Sequence, residues 1–151
     1  MRTKEFLTGL FSGILILVFF YSGLDKLWHL NSFGNIVSKS PLIGHYSELI
    51  MWLVPVSELV ICILLFIPKF RFVGFCLSFL MMLCFTLYIG YMIAYVPQLP
   101  CNCGGITKYM NWHQHLYFNV GLTLLALWGI LIETKRRMDY RIKNDEYNRK
   151  S

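Results

Sequence analysis

Charged residues are scarce in this sequence. Asp, Glu, Lys and Arg together make up 15% of its 151 residues, whereas a soluble domain usually carries about 25%. Hydrophobic residues make up 56%, and the mean hydropathy is +0.54. This composition argues against an ordinary soluble domain and favours a single unit embedded in a membrane.

Motifs of several common function classes are missing as well. The sequence has no Gly-rich phosphate loop, no serine-nucleophile motif and no internal repeat. The first apolar run follows Arg2 and Lys4, as the core of a signal peptide would. It is longer than the usual core of about 7–15 residues, and no A-x-A-like cleavage site follows it. We therefore expect this run to be a retained helix.

Four long apolar runs occupy most of the chain. They cover residues 6–24, 49–67, 72–96 and 116–132, and their only charged residue is Glu58. A helix of about 20 apolar residues crosses a hydrocarbon core about 30 Å thick. The last run has only 17 residues, so we extend its helix to residue 114. The sequence predicts an all-α integral membrane four-helix bundle with spans at 6–24, 49–67, 72–96 and 114–132.

Positive charges are distributed unevenly between the two sides of the predicted bundle. Eleven Lys and Arg residues precede the first run, join the second to the third, or follow the fourth, and the other side has Lys26, Lys39 and Lys108. The side that is richer in these residues is normally cytoplasmic. We therefore expect both termini in the cytoplasm (N-in, C-in). Residues 1–134 would form the membrane domain, and the basic tail at 135–151 would lie beside anionic lipid without binding nucleic acid.

The first outer loop contains a short amphipathic pattern. Leu30, Phe33, Ile36 and Val37 recur at helical spacing, and the pattern stops before Pro41. Such a pattern predicts a short helix that lies in the membrane interface.

Two cysteines stand one residue apart in the second outer loop, in the segment CNCGG at 101–105. A disulfide between Cys101 and Cys103 would close a very small ring, and strained, exposed disulfides are the labile or catalytic kind. A structural disulfide gains most by closing a long loop, which this pair would not do. Redox exchange is the preferred hypothesis, and metal ligation or a structural pair are the alternatives. The other cysteines lie inside apolar runs and are expected to be inert: Cys62, Cys76 and Cys84.

Two histidines, His113 and His115, follow the cysteines. Two thiols and two imidazoles form a ligand set that suits zinc or copper. Helical residues two apart diverge by about 200°, so both histidines would act together only if the helix began after them. The preferred role needs only one histidine, whose imidazolium would lower the pKa of a neighbouring thiol and favour the thiolate. We take Cys101, Cys103 and His115 as the candidate catalytic residues, with a histidine that has no partner as the alternative.

Glu58 lies in the middle of the second apolar run. An ionisable side chain at such depth is costly and indicates a functional site. Its candidate partners are Lys26, Tyr88 and Tyr91. One interpretation is a hydrogen-bonded glutamate that joins two helices, and the other is a proton relay beside a quinone or thiol site.

The stretch from Ser22 to Phe66 resembles the membrane proteins of the DoxX and MauE group. Their pattern has a lysine that closes the first helix, an F-x-x-I stretch and a Pro-x-x-Glu in the second helix. The matching positions are Lys26, Phe33, Ile36, Pro55 and Glu58. The segment CNCGG…NWHQHLYFN resembles redox-associated members of that group, and its matching positions are Cys101, Cys103, Gly104, Gly105, Trp112, His115 and Asn119.

The resemblance spans about residues 6–132 and implies a bundle in the bacterial inner membrane that is linked to thiol–disulfide or sulfur chemistry. Members are associated with disulfide formation in a periplasmic dehydrogenase subunit, with thiosulfate oxidation to quinone, or with oxidant defence. We expect Cys101 and Cys103 to exchange disulfides with a periplasmic thioredoxin-like partner or a maturing substrate. Electrons would pass to a quinone near Glu58 and Lys26, although no quinone motif is readable. The alternatives are a non-enzymatic accessory subunit of a larger membrane complex and a Cys/His metal-binding protein.

The predicted topology can be tested by thiol labelling of intact cells. A membrane-impermeant maleimide, applied after mild reduction, should label Cys101 and Cys103, because both would face the outer compartment. Labelling that appears only after the cells are broken open would contradict the topology. Comparison with unreduced cells reports the resting redox state of the pair.

Overall fold

The computed structural model describes residues 2–40, 43–95 and 111–150, and all regular structure in these ranges is helical. Five α-helices and one 3-10 turn follow one another along the chain. They are α1 at Arg2–Trp28, α2 at Leu30–Ser38, the turn at Gly44–Tyr46, α3 at Ser47–Phe66, α4 at Arg71–Tyr95 and α5 at Trp112–Lys150. The predicted all-α class is confirmed.

Four of these helices, α1, α3, α4 and α5, are long and apolar enough to cross a membrane. They correspond to the four predicted spans, and each begins one to four residues before its predicted start. α1 packs against α3, α3 against α4, α4 against α5, and α5 against α1. The four helices therefore form a ring in which α1 faces α4, and α3 faces α5, across the bundle axis.

The connections define two ends of the bundle. We call the end with α2, the 3-10 turn, the last turn of α4 and the first turn of α5 the loop end. The opposite end, which we call the basic end, holds the chain's N-terminal residues, the α3–α4 turn and the polar part of α5. Contacts hold these segments together. Lys4 Nζ lies 2.6 Å from Asp139, and Arg137 donates to the Lys69 carbonyl at 3.0 Å and to the fully buried Glu133 at 3.4 Å.

α5 is much longer than its apolar run. It continues without a break through the basic tail to Lys150 and has 39 residues, which corresponds to about 58 Å of helix. The polar tail is therefore a helical extension of the fourth span. The boundary at residue 134 between membrane domain and tail stays a prediction.

Apolar side chains from all four spans meet on the bundle axis. The buried cluster comprises Leu15, Phe19, Ile61, Cys62, Leu65, Phe75, Met82, Leu122 and Ala126. Equally apolar residues face outward: Leu17 is 71% exposed and Leu87 is 65% exposed. Helices that are apolar on every side are typical of membrane spans, because lipid takes the place of water around them.

α2 is the short amphipathic helix that the first outer loop predicts. It ends at Ser38, buries Val37 and packs mainly against α3. The contact is close at Gly34, where a Cβ would stand 2.6 Å from the Met51 sulfur. α2 therefore covers the loop end of the bundle on the side of α3.

The α4–α5 contact depends on a glycine. Gly129 on α5 lies directly against the buried ring of Phe75 on α4, and a Cβ there would overlap the ring. We expect Gly129→Ala to lower the free energy of unfolding by about 1–3 kcal/mol, because a packed core accommodates an added methyl group poorly. The measurement is denaturant unfolding of the protein in micelles.

Gly121→Ala on the same helix is the matched control. Nothing lies within 4 Å of the Cβ position at Gly121. This substitution should be neutral, or it should raise stability by up to about 1 kcal/mol through helix propensity. Equal stability of the two variants would contradict the close α4–α5 packing.

Candidate functional site

A buried ion pair joins α1 to α3 in the loop-end half of the bundle. Lys26 Nζ lies 2.6 Å from Glu58 Oε1, and the two side chains are 16% and 1% exposed. Ser22 lies one turn before Lys26 on the same helix face. Its hydroxyl donates to Glu58 Oε1 at 3.2 Å and accepts from Lys26 Nζ at 2.5 Å. Of the partners considered for Glu58, the structure selects Lys26.

Two phenylalanine rings lie beside the Lys26 ammonium. Lys26 Nζ is 5.5 Å from the Phe85 ring centroid and 5.9 Å from the Phe33 centroid, which is cation–π distance. Phe33 belongs to α2 and Phe85 to α4, so the ion pair gathers side chains from four helices. α1 lies in contact with α3 at Gly23, where a Cβ would stand 3.4 Å from Glu58 Oε2, which is ordinary van der Waals distance.

α5 brings one of the two histidines towards the ion pair. The Asn111 N–H donates to Gln114 Oε1 at 3.0 Å, which is one half of a capping box and sets the helix start ahead of both histidines. His113 is exposed, whereas His115 is half-buried and lies within electrostatic range of Lys26. Both histidines would act together only if the helix began after His115. The helix begins before His113, so this condition is not met. In the described part of the chain, no group of three or more His, Cys, Asp or Glu side chains is placed to hold a metal ion.

Polar side chains continue from the ion pair to α4 and α5. Thr123 Oγ1 lies 3.3 Å from Thr86 Oγ1 and donates to the Asn119 carbonyl at 2.7 Å. Asn119 is one helical turn after His115 and is only 4% exposed. These residues lie at and just beyond the loop end of the apolar cluster on each helix. We call the set the polar layer: Ser22, Lys26, Glu58, Thr86, Asn119 and Thr123.

Two buried atoms of the polar layer have no hydrogen-bond partner among the residues that the structure describes: Glu58 Oε2 and Asn119 Nδ2. Glu58 is fully buried. Buried polar atoms are nearly always paired in native proteins. The layer therefore offers a free acceptor on α3 and a free donor on α5, the two helices that face each other across the axis.

Cys101 and Cys103 lie outside the described residues. The chain leaves α4 at Tyr95 and enters α5 at Trp112, and both points are at the loop end. The segment with the two cysteines is therefore attached at the end of the bundle nearer to the polar layer. The described cysteines are free thiols in apolar helices: Cys62, Cys76 and Cys84.

Residues 4–132 match the family described as methylamine utilisation protein MauE. The chain belongs to the MauE family. The match covers the apolar spans and the whole polar layer, and it ends before the basic part of α5. No curated protein and no solved structure matches the chain.

Part of the polar layer of this MauE-family chain can be predicted from the sequence alone. Lys26 and Glu58 stood out as ionisable residues at the end of one apolar run and inside another. Ser22 and Asn119 were assigned no role, although both carried a signal. Ser22 precedes Lys26 by one turn, and Asn119 is the only amide side chain in the run 116–132. Phe85 has no comparable signal in the sequence, because aromatic residues are common in apolar runs.

The effects of replacing Lys26 and Glu58 on the free energy of unfolding should not be additive. Each single replacement should destabilise the protein by more than half the effect of replacing both. Lys26→Met leaves a buried carboxylate without a countercharge, and breaking a buried pair typically costs about 3–5 kcal/mol. The double variant Lys26→Met, Glu58→Gln should be more stable than the sum of the single effects predicts, by about 0.5–3 kcal/mol. The measurement is a double-mutant cycle of unfolding in micelles.

The ion pair Lys4–Asp139 at the basic end provides the control. Its side chains are 34% and 44% exposed, and solvent screens such pairs. Lys4→Met should therefore have a much smaller effect than Lys26→Met. Additive effects of the Lys26 and Glu58 substitutions would show that the two charges do not interact.

Proposed function

We propose that this MauE-family protein is a membrane accessory protein that exchanges disulfides outside the cytoplasm through Cys101 and Cys103. One observation carries the proposal: the segment with the two cysteines is attached at the loop end, beside a buried layer of ionisable and hydrogen-bonding side chains. Such residues are costly inside a membrane bundle and usually serve function. Lys26, Glu58 and His115 thus lie in the half of the bundle where α4 ends and α5 begins.

The exchange step balances without an external oxidant. A thiolate of the partner attacks the Cys101–Cys103 disulfide and forms a mixed disulfide, and the partner's second thiolate then resolves it. The partner gains a disulfide, and Cys101 and Cys103 are left as thiols. Reoxidation passes two electrons and two protons to a membrane quinone, which becomes a quinol. We assign the quinone's position to the neighbourhood of Glu58 and Lys26.

His115 is the residue proposed to assist the thiols. A neighbouring imidazole can take up a thiol proton or stabilise the thiolate as the imidazolium. The half-buried position of His115 in the first turns of α5 supports the role of proton acceptor better than the exposed position of His113, because burial and the nearby Lys26 ammonium favour the neutral imidazole. The positive end of the α5 dipole acts in the same direction, because it favours anions near a helix N-terminus.

We place the protein in the bacterial inner membrane with the basic end in the cytoplasm. Support comes from the concentration of Lys and Arg at that end and from the rule that such segments stay inside. The cysteines then face the periplasm, where disulfides persist. The proposed partner is a thioredoxin-like protein or a maturing periplasmic protein, and the family description makes a component of amine oxidation a candidate substrate.

A trapping experiment tests the exchange. In Cys103→Ser the internal disulfide cannot form, but the Cys101 thiolate can still attack the disulfide of the oxidised partner, the reverse of the exchange step, and no second thiol of the pair is present to resolve the mixed disulfide. A covalent adduct with a periplasmic protein should therefore accumulate in non-reducing gels and disappear on reduction. The adduct can be purified on a tagged chain and its partner identified by mass spectrometry.

The control is the double variant Cys101→Ser, Cys103→Ser, which should trap nothing and should lose the cellular phenotype of exchange. In the same assay, His115→Gln should slow adduct formation, and His113→Gln should leave it unchanged. A stoichiometric partner that co-purifies with the double variant, together with an unchanged phenotype, would overturn exchange in favour of an accessory subunit of a larger membrane complex.

A further inference from the structure

Glu58 Oε2 and Asn119 Nδ2 lie in the same layer of the bundle. The apolar cluster contains Phe19, Cys62, Met82 and Leu122, one from each spanning helix. One turn further towards the loop end stand Ser22 and Gly23 on α1, Glu58 on α3, Phe85 and Thr86 on α4, and Asn119 on α5. Contacts with α1 support this register: Ser22 donates to Glu58 Oε1, and Phe11 stacks on Trp128, so that Asn119, about two and a half turns before Trp128, lies near the level of Phe20 and Ser22.

The two unpaired atoms are complementary. Asn119 Nδ2 is a donor, and Glu58 Oε2 is an acceptor in the ionised pair with Lys26. Each belongs to a residue that is more than nine-tenths buried, and neither has a partner among the described residues. Buried polar atoms in this situation commonly bind an ordered water or a ligand.

We propose that the polar layer binds a hydroxyl oxygen that accepts from Asn119 Nδ2 and donates to Glu58 Oε2. Two molecules can supply that oxygen, water and the head group of a quinol. The quinol source rests on the proposed function, since it is the product of reoxidation of the thiols by quinone. The water source does not rest on it.

The charges around the layer exclude other classes of ligand. An anion would meet Glu58, which carries the negative charge of the pair, and a cation would meet Lys26 Nζ. A ligand with only a carbonyl, such as the oxidised quinone, can accept from Asn119 Nδ2 but leaves Glu58 Oε2 unpaired, so the layer should bind the quinol more tightly than the quinone. A neutral group that both accepts and donates satisfies both atoms, and the rings of Phe33 and Phe85 beside Lys26 suit an apolar or aromatic remainder.

The substitution Asn119→Leu tests whether the site is filled. Leucine has nearly the shape of asparagine, and replacing a truly unpaired buried polar group with an apolar one is neutral or stabilising. If Asn119 holds a hydroxyl oxygen, the variant loses that interaction and its thermal midpoint should fall by about 2–4 °C or more. Asn35→Leu, at an exposed position on α2, is the matched control and should leave the midpoint unchanged. A midpoint of Asn119→Leu equal to or above that of the parent protein would overturn the proposal.

Two further measurements on the unsubstituted protein identify the source. The first is titration with the short-chain quinol menadiol in nanodiscs of phosphatidylethanolamine and phosphatidylglycerol. A menadiol-dependent rise of the midpoint that Asn119→Leu abolishes assigns the oxygen to quinol. The second is radiolytic labelling in ¹⁸O-water without menadiol, in which label on the residues of the polar layer assigns it to water. A negative result in both measurements would overturn the proposal, including the case in which Asn119→Leu fails to fold.

The double variant Cys101→Ser, Cys103→Ser separates this proposal from disulfide exchange. It should give the same midpoint, menadiol response and ¹⁸O labelling as the parent protein, because the proposed site consists of Glu58 and Asn119 and needs no thiol. Failure of exchange would therefore leave the site intact. Loss of the site would be seen in Asn119→Leu even with both cysteines present.

Discussion

The contact between Lys26 and Glu58 determines the arrangement of the loop-end half of this bundle. A carboxylate inside apolar helices needs a countercharge, and Lys26 supplies it because α1 lies against α3 at Gly23. The same ammonium lies beside Phe33 of α2 and Phe85 of α4. Satisfying one buried charge therefore sets the relative positions of four helices.

Different interactions hold the two halves of the bundle together. Towards the basic end, apolar side chains fill the axis, and the buried Glu133 is neutralised by arginines within its own helix, at 2.7 Å from Arg136. Towards the loop end, polar groups cross the axis and two of them are left without a partner in the described structure. Unpaired polar atoms lower stability, so their concentration in one half marks that half as the candidate functional region. The apolar cluster and the candidate functional region thus lie towards opposite ends of one helical ring.

Much of the fold could be predicted from the sequence. The four spans follow from hydropathy, and α2 follows from the spacing of its apolar residues. Because the number of spans is even, the basic segments at the two termini lie at the same end of the bundle. The partner of Glu58 could not be chosen among Lys26, Tyr88 and Tyr91, because helix rotation and depth depend on packing between distant segments. Asn119 has a polar side chain in an apolar run, but only the packing of the helices shows that this side chain is buried and that its Nδ2 has no partner among the described residues.

By itself, the sequence determined the number of crossings, their apolar surfaces and the separation of positive charge to one end. These are local properties of composition along the chain, and they hold for any packing of the helices. Only the tertiary structure decided which polar groups meet, that His115 is half-buried whereas His113 is exposed, and that a buried donor and a buried acceptor lack a partner among the described residues. Those outcomes depend on how four helices rotate against one another to bury a single charge, and no short stretch of sequence carries that information.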